Sequence, residues 1–430
     1  MRSEGSILVG LLWCVVLLAL VVIGVLHTSR IDLVVVKNHG DRIQAHYLAR
    51  AGIEKTKALL DQDAKERRRS RVNHNGQLFD APRQFRDVPY GRGQFRISHR
   101  ARPADGGGIL YGVSDEESRL NVNSAATSEL TKLDGMTPDV LAAISDWRDG
   151  DNEISPGGAE IDHYASLRPP GQPRNGPLLT VGELLMVRGV TPSLMGKSSA
   201  GTGWSSILTV NSSVENVNAA GEDRVDVQTA DESSLASVSG ITADIAKAIV
   251  AHRDRNRLEN LADLLEVVAA PSQPDSRRGS NTNRNTGSQS PQNNPNPSGP
   301  KVISEELLLE IADDICTTSD QGQTGLININ TASLDVLACL PGLDRDLAQA
   351  IISFRQSSGF LPNPAWLLRV PGMNVDIFKQ VAPRVTARSE TYRIFSEGKV
   401  GSSGARQSIE EIVHVGRYGI TTLAYREDDR

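Results

Sequence analysis

The stretch MRSEGSILVGLLWCVVLLALVVIGVLHTSR, residues 1–30, decides how this chain is read. From Ser6 to Leu26 it carries no charged side chain. At ~1.5 Å of rise per residue, about twenty apolar residues in a helix cross a ~30 Å hydrocarbon layer. Inside lipid every backbone N–H and C=O needs a partner within its own segment, so a lone run of this kind is a helix. A removable secretory leader has a basic start, a shorter apolar core and a small-x-small cleavage site. Here the run is long and passes into Leu26-His27-Thr28-Ser29-Arg30 without such a site. The abrupt change of polarity falls between Gly5 and Ser6 instead. Two readings stay open from this stretch: a retained helix behind a short trimmed leader, residues 1–5, and a plain signal-anchor.

Beyond Arg30 the pattern stays helical but becomes amphipathic. Ile43, Tyr47 and Ala51 recur at four-residue spacing, with Leu48, Ala58 and Leu59 beside them and Lys37, Asp41, Arg42, Glu54, Lys55 and Lys57 opposite. The spacing predicts a helix from Ser6 to about Leu60, with 6–30 in the membrane and an amphipathic extension over 31–70. Asp61 to Arg92, with Lys65-Glu66-Arg67-Arg68-Arg69, reads as a solvated loop or a lipid-headgroup patch.

Strand signals come early and late. Phe95 and Ile97 alternate with polar residues, and Ile109-Leu110-Tyr111 follows a triple-glycine turn. The others are Thr391–Phe395, Ile409–Val415 and Ile420–Tyr425. A pair of strands alone is marginal, so early and late strands need each other. The fold class expected is therefore α+β: a long N-terminal helix and an antiparallel sheet, 71–118 and 389–430, interrupted by a helical insertion over 119–388.

The insertion repeats itself. Leu120-Asn121-Val122-Asn123-Ser124-Ala125 lines up with Val225-Asp226-Val227-Gln228-Thr229-Ala230 and with Ile327-Asn328-Ile329-Asn330-Thr331-Ala332. Downstream, Gly135, Gly240 and Gly342 centre equivalent turns, and each copy runs on to an arginine, Arg148, Arg253 or Arg355. Each copy reads as a helix–hairpin–helix in which glycine supplies the left-handed backbone that ends the first helix. The copies lie near 119–200, 222–270 and 324–388. Residues 271–300, rich in Pro, Ser, Asn and Gln, read as a disordered linker.

Composition narrows the function. With 430 residues there is room for two or three domains. A net charge of −6 argues against general attraction to polyanions. Cys316 and Cys339 read either as one disulfide in an oxidising compartment or as buried packing. Helix–hairpin–helix units that bind DNA aim the amides of a Gly-x-Gly turn at phosphate. None of the three turns keeps a second glycine, and Asp139, Asp244, Asp344 and Asp346 follow them, so no nucleic-acid partner is expected. A membrane-tethered DNA-binding protein of the competence type is the alternative.

The first copy alone inserts an acidic loop. Asp146, Asp149, Asp151, Glu153, Glu160 and Asp162 cluster around bends at Gly150 and Gly157-Gly158. Carboxylates on a bent loop suit Ca²⁺, which takes six to eight oxygens, better than Mg²⁺, although the spacing is not that of an EF-hand. Calcium and a solvated acidic loop both fit the spacing. No catalytic signature is present: Gly196-Lys197-Ser198 lacks the upstream glycine of a phosphate-binding loop, and neither G-x-S-x-G nor H-E-x-x-H occurs. An enzyme is not expected.

Taken together, these residues resemble the K-type minor pseudopilin family of bacterial type II secretion. The resemblance rests on the Gly5/Ser6 boundary, on Gly10 where most pilin-like chains carry Glu, and on Ala51-Gly52-Ile53-Glu54. It rests further on Leu120–Ala125, Asp146-Trp147-Arg148-Asp149, Gly158-Ala159-Glu160 and Leu184-Leu185-Met186-Val187-Arg188-Gly189-Val190. It implies a pilin-like sheet with an inserted helical domain, and cleavage between Gly5 and Ser6 by a prepilin peptidase. It also implies a single-pass inner-membrane anchor, with a cytoplasmic N-terminus and a periplasmic C-terminal domain. The role implied is at the pseudopilus tip with the I- and J-type minor pseudopilins and the major pseudopilin. Calcium in the helical domain is implied by the same resemblance. The third repeat and the long polar tract depart from the family pattern.

Overall fold

The computed structural model describes residues 4–100, 107–196, 203–269 and 299–428. Met1, Arg2 and Ser3 of the expected leader, Lys197 and Ser198, and 271–298 of the expected linker lie outside the described residues.

One helix runs from Glu4 to Ser70, ~100 Å at 1.5 Å per residue. It passes the expected end near Leu60, and the charged stretch after Asp61 begins as helix. Lys65 pairs with Asp61 at 2.6 Å and Arg67 with Asp63 at 2.8 Å, each one turn apart. Arg67, Arg68 and Arg69 also complement the negative end of the helix dipole.

Residues 7–40 of this helix are exposed, and from Ala45 onward it packs on the sheet. The buried face is Ala45, Leu48, Ala49, Ile53, Leu60 and Ala64. Ile43 and Tyr47 of the expected stripe point outward, 45% and 63% exposed. Close approach selects small residues for the contact. A Cβ on Gly52 would lie 2.4 Å from Ser396 Oγ, and one on Gly398 would lie 2.1 Å from the Ala45 carbonyl oxygen. Ser396 Oγ donates to the Ala49 carbonyl at 2.7 Å across the same contact.

The sheet has the order Val88–Tyr90, Gly93–Ile97, Thr391–Val400, Arg406–Gly416, Gly419–Asp428, antiparallel throughout, with Ser114–Asp115 also paired to the Thr391 strand. Early and late strands thus share one sheet, as their marginal stability apart requires. Ile109–Leu110 departs from expectation: it pairs with His99–Arg100 in a separate ribbon.

Between the sheet's halves the three repeats share one core, separate from the core under the sheet. Gly135, Gly240 and Gly342 adopt φ of +76°, +92° and +74°, the left-handed turn the repeat demands. Thr137, Thr242 and Asp344 then cap the second helices by accepting from the amides of Val140, Ile245 and Leu347. Arg148, Arg253 and Arg355 each donate to a carbonyl 26 residues upstream, on Val122, Val227 and Ile329.

Each copy closes through a parallel pair: Leu120–Asn121 with Leu208–Thr209, Val225–Asp226 with Ile315–Cys316, and Ile327–Asn328 with Val385–Thr386. The second copy therefore continues past 270 to Cys316. There the helix Glu305–Ile311 covers Gly240 through Leu307 and Ile311, as Ile377 and Gln380 cover Gly342.

Cys316 and Cys339 are buried free thiols, so the disulfide alternative is not realised. Burial pushes the Cys339 thiol up to about 12.

Candidate metal centre

Pro138–Arg148 is an amphipathic helix, capped by Thr137 and started by Pro138, that buries Val140, Ala143, Ile144 and Trp147. Its last turn carries Asp146, fully buried, and Asp149 ends it. The chain returns through Gly157, at φ +84°, and Gly158 to Glu160, which precedes the helix Ile161–Ala165 and is 1% exposed. Gly158 is required by proximity, since a Cβ there would lie 2.0 Å from Asp146 Oδ2.

Ligand atoms of Asp146, Asp149 and Glu160 all lie within 4.8 Å of one another. Asp146 Oδ1, Asp149 Oδ1 and both Glu160 carboxylate oxygens are buried without a hydrogen-bond partner. Asp146 Oδ2 accepts a bond from the Ser155 amide at 3.3 Å. Burial first, then the charges of Asp151 and Asp146, push the Asp149 carboxyl above its usual range. Burial and the charges of Asp149, Asp146 and Asp151 do the same to Glu160.

The negative end of the Pro138–Arg148 helix dipole adds to this repulsion. Buried acceptors crowded in this way are stable when a cation joins them. The donor set is all oxygen, with the Glu160 carboxylate free to bind through either atom, which suits a hard ion of large and flexible coordination. The residues fit calcium.

Of the six acids singled out in the sequence, the structure brings Asp146, Asp149 and Glu160 together. Asp151 stands close enough to raise its neighbours but is exposed, as are Glu153 and Asp162. Asp151 is occupied locally: its Oδ1 accepts from the Glu153 amide at 2.9 Å. Two supports carried no sequence signal. Asn175 Nδ2 donates to the Asp151 carbonyl at 2.6 Å, and Arg188 Nη1 to the Gly158 carbonyl at 2.7 Å. Both come from outside the acidic loop, beyond the reach of local spacing. Gly5 and Ser6 lie in the first turns of the long helix, and Gly10 sits in its exposed part with nothing within 4 Å of where a Cβ would be.

Residues 116–199, which contain the acidic loop, match the family model described as "Type II secretion system (T2SS), protein K". Over that segment the chain is similar to the protein K family of type II secretion. The helix-hairpin-helix family model matches the second and third copies of the repeat, at 221–269 and 322–386.

Among curated proteins, the mouse endonuclease/exonuclease/phosphatase family domain-containing protein 1 is 25% identical over 170 residues, 39% of this chain and 28% of that protein. ComE operon protein 1 of Bacillus subtilis is 31% identical over 84 residues, 20% of this chain and 41% of that protein. The chain thus spans less than half the length of either relative. A chain of the solved GspK–GspI–GspJ complex from the enterotoxigenic Escherichia coli type 2 secretion system aligns over 92% of this chain and 99% of its own length. It does so with a TM-score of 0.48 at 12% identity.

Proposed function

We propose that the chain is a non-enzymatic minor pseudopilin at the tip of the type II secretion pseudopilus, taking part in pseudopilus assembly and in protein export across the outer membrane. The observation that carries this reading is one chain joining a protein K match at 116–199 to a helix whose apolar residues stay exposed from Ile7 to Val36. Such a surface needs lipid before assembly and neighbouring helices within a filament afterwards.

Prepilin peptidase would cut between Gly5 and Ser6 on the cytoplasmic face of the inner membrane, leaving the soluble part periplasmic. Gly10 suits a subunit with no neighbour above it. The partners are the I- and J-type minor pseudopilins below and the major pseudopilin in the shaft, with the helical insertion too broad to admit a subunit on top. Calcium held by Asp146, Asp149 and Glu160 would fix the loop of the first copy. Two features support the absence of a nucleic-acid partner: acids follow each hairpin turn, and helices of the same chain cover Gly240 and Gly342.

The test is Gly5→Trp in secreting cells. Slower gel mobility from the retained leader, together with lost secretion and lost co-purification of the I- and J-type subunits, is expected. Unchanged mobility with intact secretion would remove the pseudopilin reading.

A further inference from the structure

The acidic loop is exposed from Gly150 to Ile154 and becomes buried at Gly158, Ala159 and Glu160. Among the described residues, neither carboxylate oxygen of Glu160 has a hydrogen-bond partner. The place of this side chain therefore depends on how the backbone on each side of it is held. One residue outside the loop holds both sides. Arg188 Nη1 donates to the carbonyl of Gly158, two residues before Glu160, at 2.7 Å. The Arg188 backbone amide donates to the hydroxyl of Tyr164, four residues after Glu160, at 3.3 Å.

Arg188 can do this because its own position is fixed. Val187 and Val190 beside it are 2% and 8% exposed, in the core that the repeats share. Gly189 turns the chain at φ +83°, and a Cβ on it would lie 2.8 Å from Val140 Cγ2. Val140 belongs to Pro138–Arg148, the helix that carries Asp146. The second hairpin turn of the first copy is thus packed on the helix of one acid and bonded to the loop of another. Gly158, which Arg188 holds, is also the residue that lies against Asp146 Oδ2.

The three repeats supply a control within one sequence. Leu184-Leu185-Met186-Val187-Arg188 lines up with Leu264-Leu265-Glu266-Val267-Val268 and with Leu367-Leu368-Arg369-Val370-Pro371. Arginine stands at the last position in the copy that carries the acidic loop. Val268 and Pro371, which have no side-chain donor, stand there in the copies without it.

We propose that Arg188 is a positioning residue for the cation site, setting its calcium affinity by holding Gly158 and Glu160 in register with Asp146. The proposal rests on the calcium reading of the acidic loop. The charge of Arg188 works the other way, because a guanidinium near a cation site repels the ion. Its Nη1 goes to a carbonyl and leaves Asp146 Oδ1, Asp149 Oδ1 and both Glu160 oxygens unbonded. Geometry and charge therefore predict opposite signs when Arg188 is replaced.

The test is isothermal titration of the full chain in detergent micelles with calcium chloride at pH 7.5, beside melting curves in chelator. Arg188→Met keeps the stem and removes both the charge and the side-chain donors. It is expected to weaken calcium binding about tenfold or more, the loss that follows when a group orienting a metal's ligands is removed. Arg188→Lys restores one donor and should recover most of that loss. Arg188 is exposed, and the melting temperature in chelator checks that both variants fold. Binding by Arg188→Met as tight as the parent's, or tighter, would leave the arginine a charge that the ion merely tolerates and overturns the proposal. A parent that takes up no more calcium than Glu160→Gln overturns the calcium reading itself, and this proposal with it. Failure of the present inference alone leaves the parent's binding intact.

Discussion

Arg384, at the end of the third repeat, grips Glu129 in the first, with its Nε and Nη2 donating to the two carboxylate oxygens at 2.8 and 2.9 Å. Glu129 is 1% exposed and also accepts from the Ala126 amide at 2.8 Å, closing the start of the first repeat's leading helix. Nearby, Lys132 Nζ donates to the carbonyls of Leu340 and Leu343 at 2.6 and 3.1 Å. The first and third copies are therefore fastened to each other although the second lies between them in sequence.

Removing Arg384 leaves a buried carboxylate without its cation. Breaking such a pair from one side costs about 3–5 kcal/mol, whereas replacing both members by apolar groups is often neutral. Arg384→Ala is expected to lower the melting temperature of the full chain in detergent by several degrees. Glu129→Leu/Arg384→Met should recover most of that loss, and a double variant as unstable as the single would show that the pair does more than compensate its own burial.

Asp115 and Glu117 make a second joint, between sheet and insertion. Asp115 accepts from Asn328 at 3.2 Å and from Thr331. Glu117 accepts from the amides of Thr391 at 3.0 Å and Ser213 at 3.2 Å. Burial first, then the neighbouring Asp115 charge, pushes Glu117 well above its usual range. Next to them, burial would raise Glu116 as well, but Arg393 and Arg119 hold it below its usual range.

The folded chain therefore keeps a proton on the Asp115–Glu117 pair that the unfolded chain releases above about pH 4.3. Stability from this pair is full below that pH and is lost as pH rises toward the raised folded value. In saturating calcium, so that the acidic loop does not titrate, the melting temperature should fall as pH rises from 5 to 9. Glu117→Gln, which mimics the protonated carboxyl, should flatten that slope. Identical slopes would refute the shared proton.

The acidic loop titrates in the same direction when no cation is bound, because Asp149 and Glu160 are also raised. Calcium reverses this, since it binds the deprotonated forms and competes with protons. Chelator is expected to lower the melting temperature by a few degrees at pH 7.5 and by less at pH 5, in line with ~2.7 kcal/mol of stabilisation at a hundredfold excess over Kd. Glu160→Gln should abolish the response, and Asp162→Asn, exposed and outside the cluster, should keep it. A calcium shift that survives Glu160→Gln would move the site elsewhere.

Local chemistry made much of this legible in the sequence. The apolar run, the three glycine turns and the three terminal arginines all act within a few tens of residues, and their periodicity survives in the linear chain. What stayed hidden depends on which distant surface a residue meets. Ile43 and Tyr47 look like a buried stripe until Gly52 and Gly398 draw the helix onto the sheet along a different line. In the acidic loop, six carboxylates look alike by spacing, and only the fold of Gly157-Gly158 over Asp146 selects three of them. The extent of the second repeat was hidden because its closing strand, Ile315–Cys316, lies beyond the polar tract.

That last feature carries its own prediction. On either side of the tract, Val268 and Lys301 form an antiparallel bridge, the Ala269 amide donates to the Pro300 carbonyl at 3.0 Å, and that of Val302 donates to Val267 at 3.0 Å. The two ends are thus already held side by side by the folded second repeat, at the position where the first and third repeats make a second left-handed turn at Gly189 (φ +83°) and Gly372 (φ +90°). Joining Ala269 to Gly299 through a two-residue Gly-Asn turn asks no new geometry of the core. Shortening a closed loop in this way also relieves an entropic cost on the order of 1–2 kcal/mol. The excised chain is expected to melt at the parent temperature or a few degrees above it, with its calcium response intact. A drop of several degrees would overturn the expectation that the second repeat keeps its stability without residues 270–298.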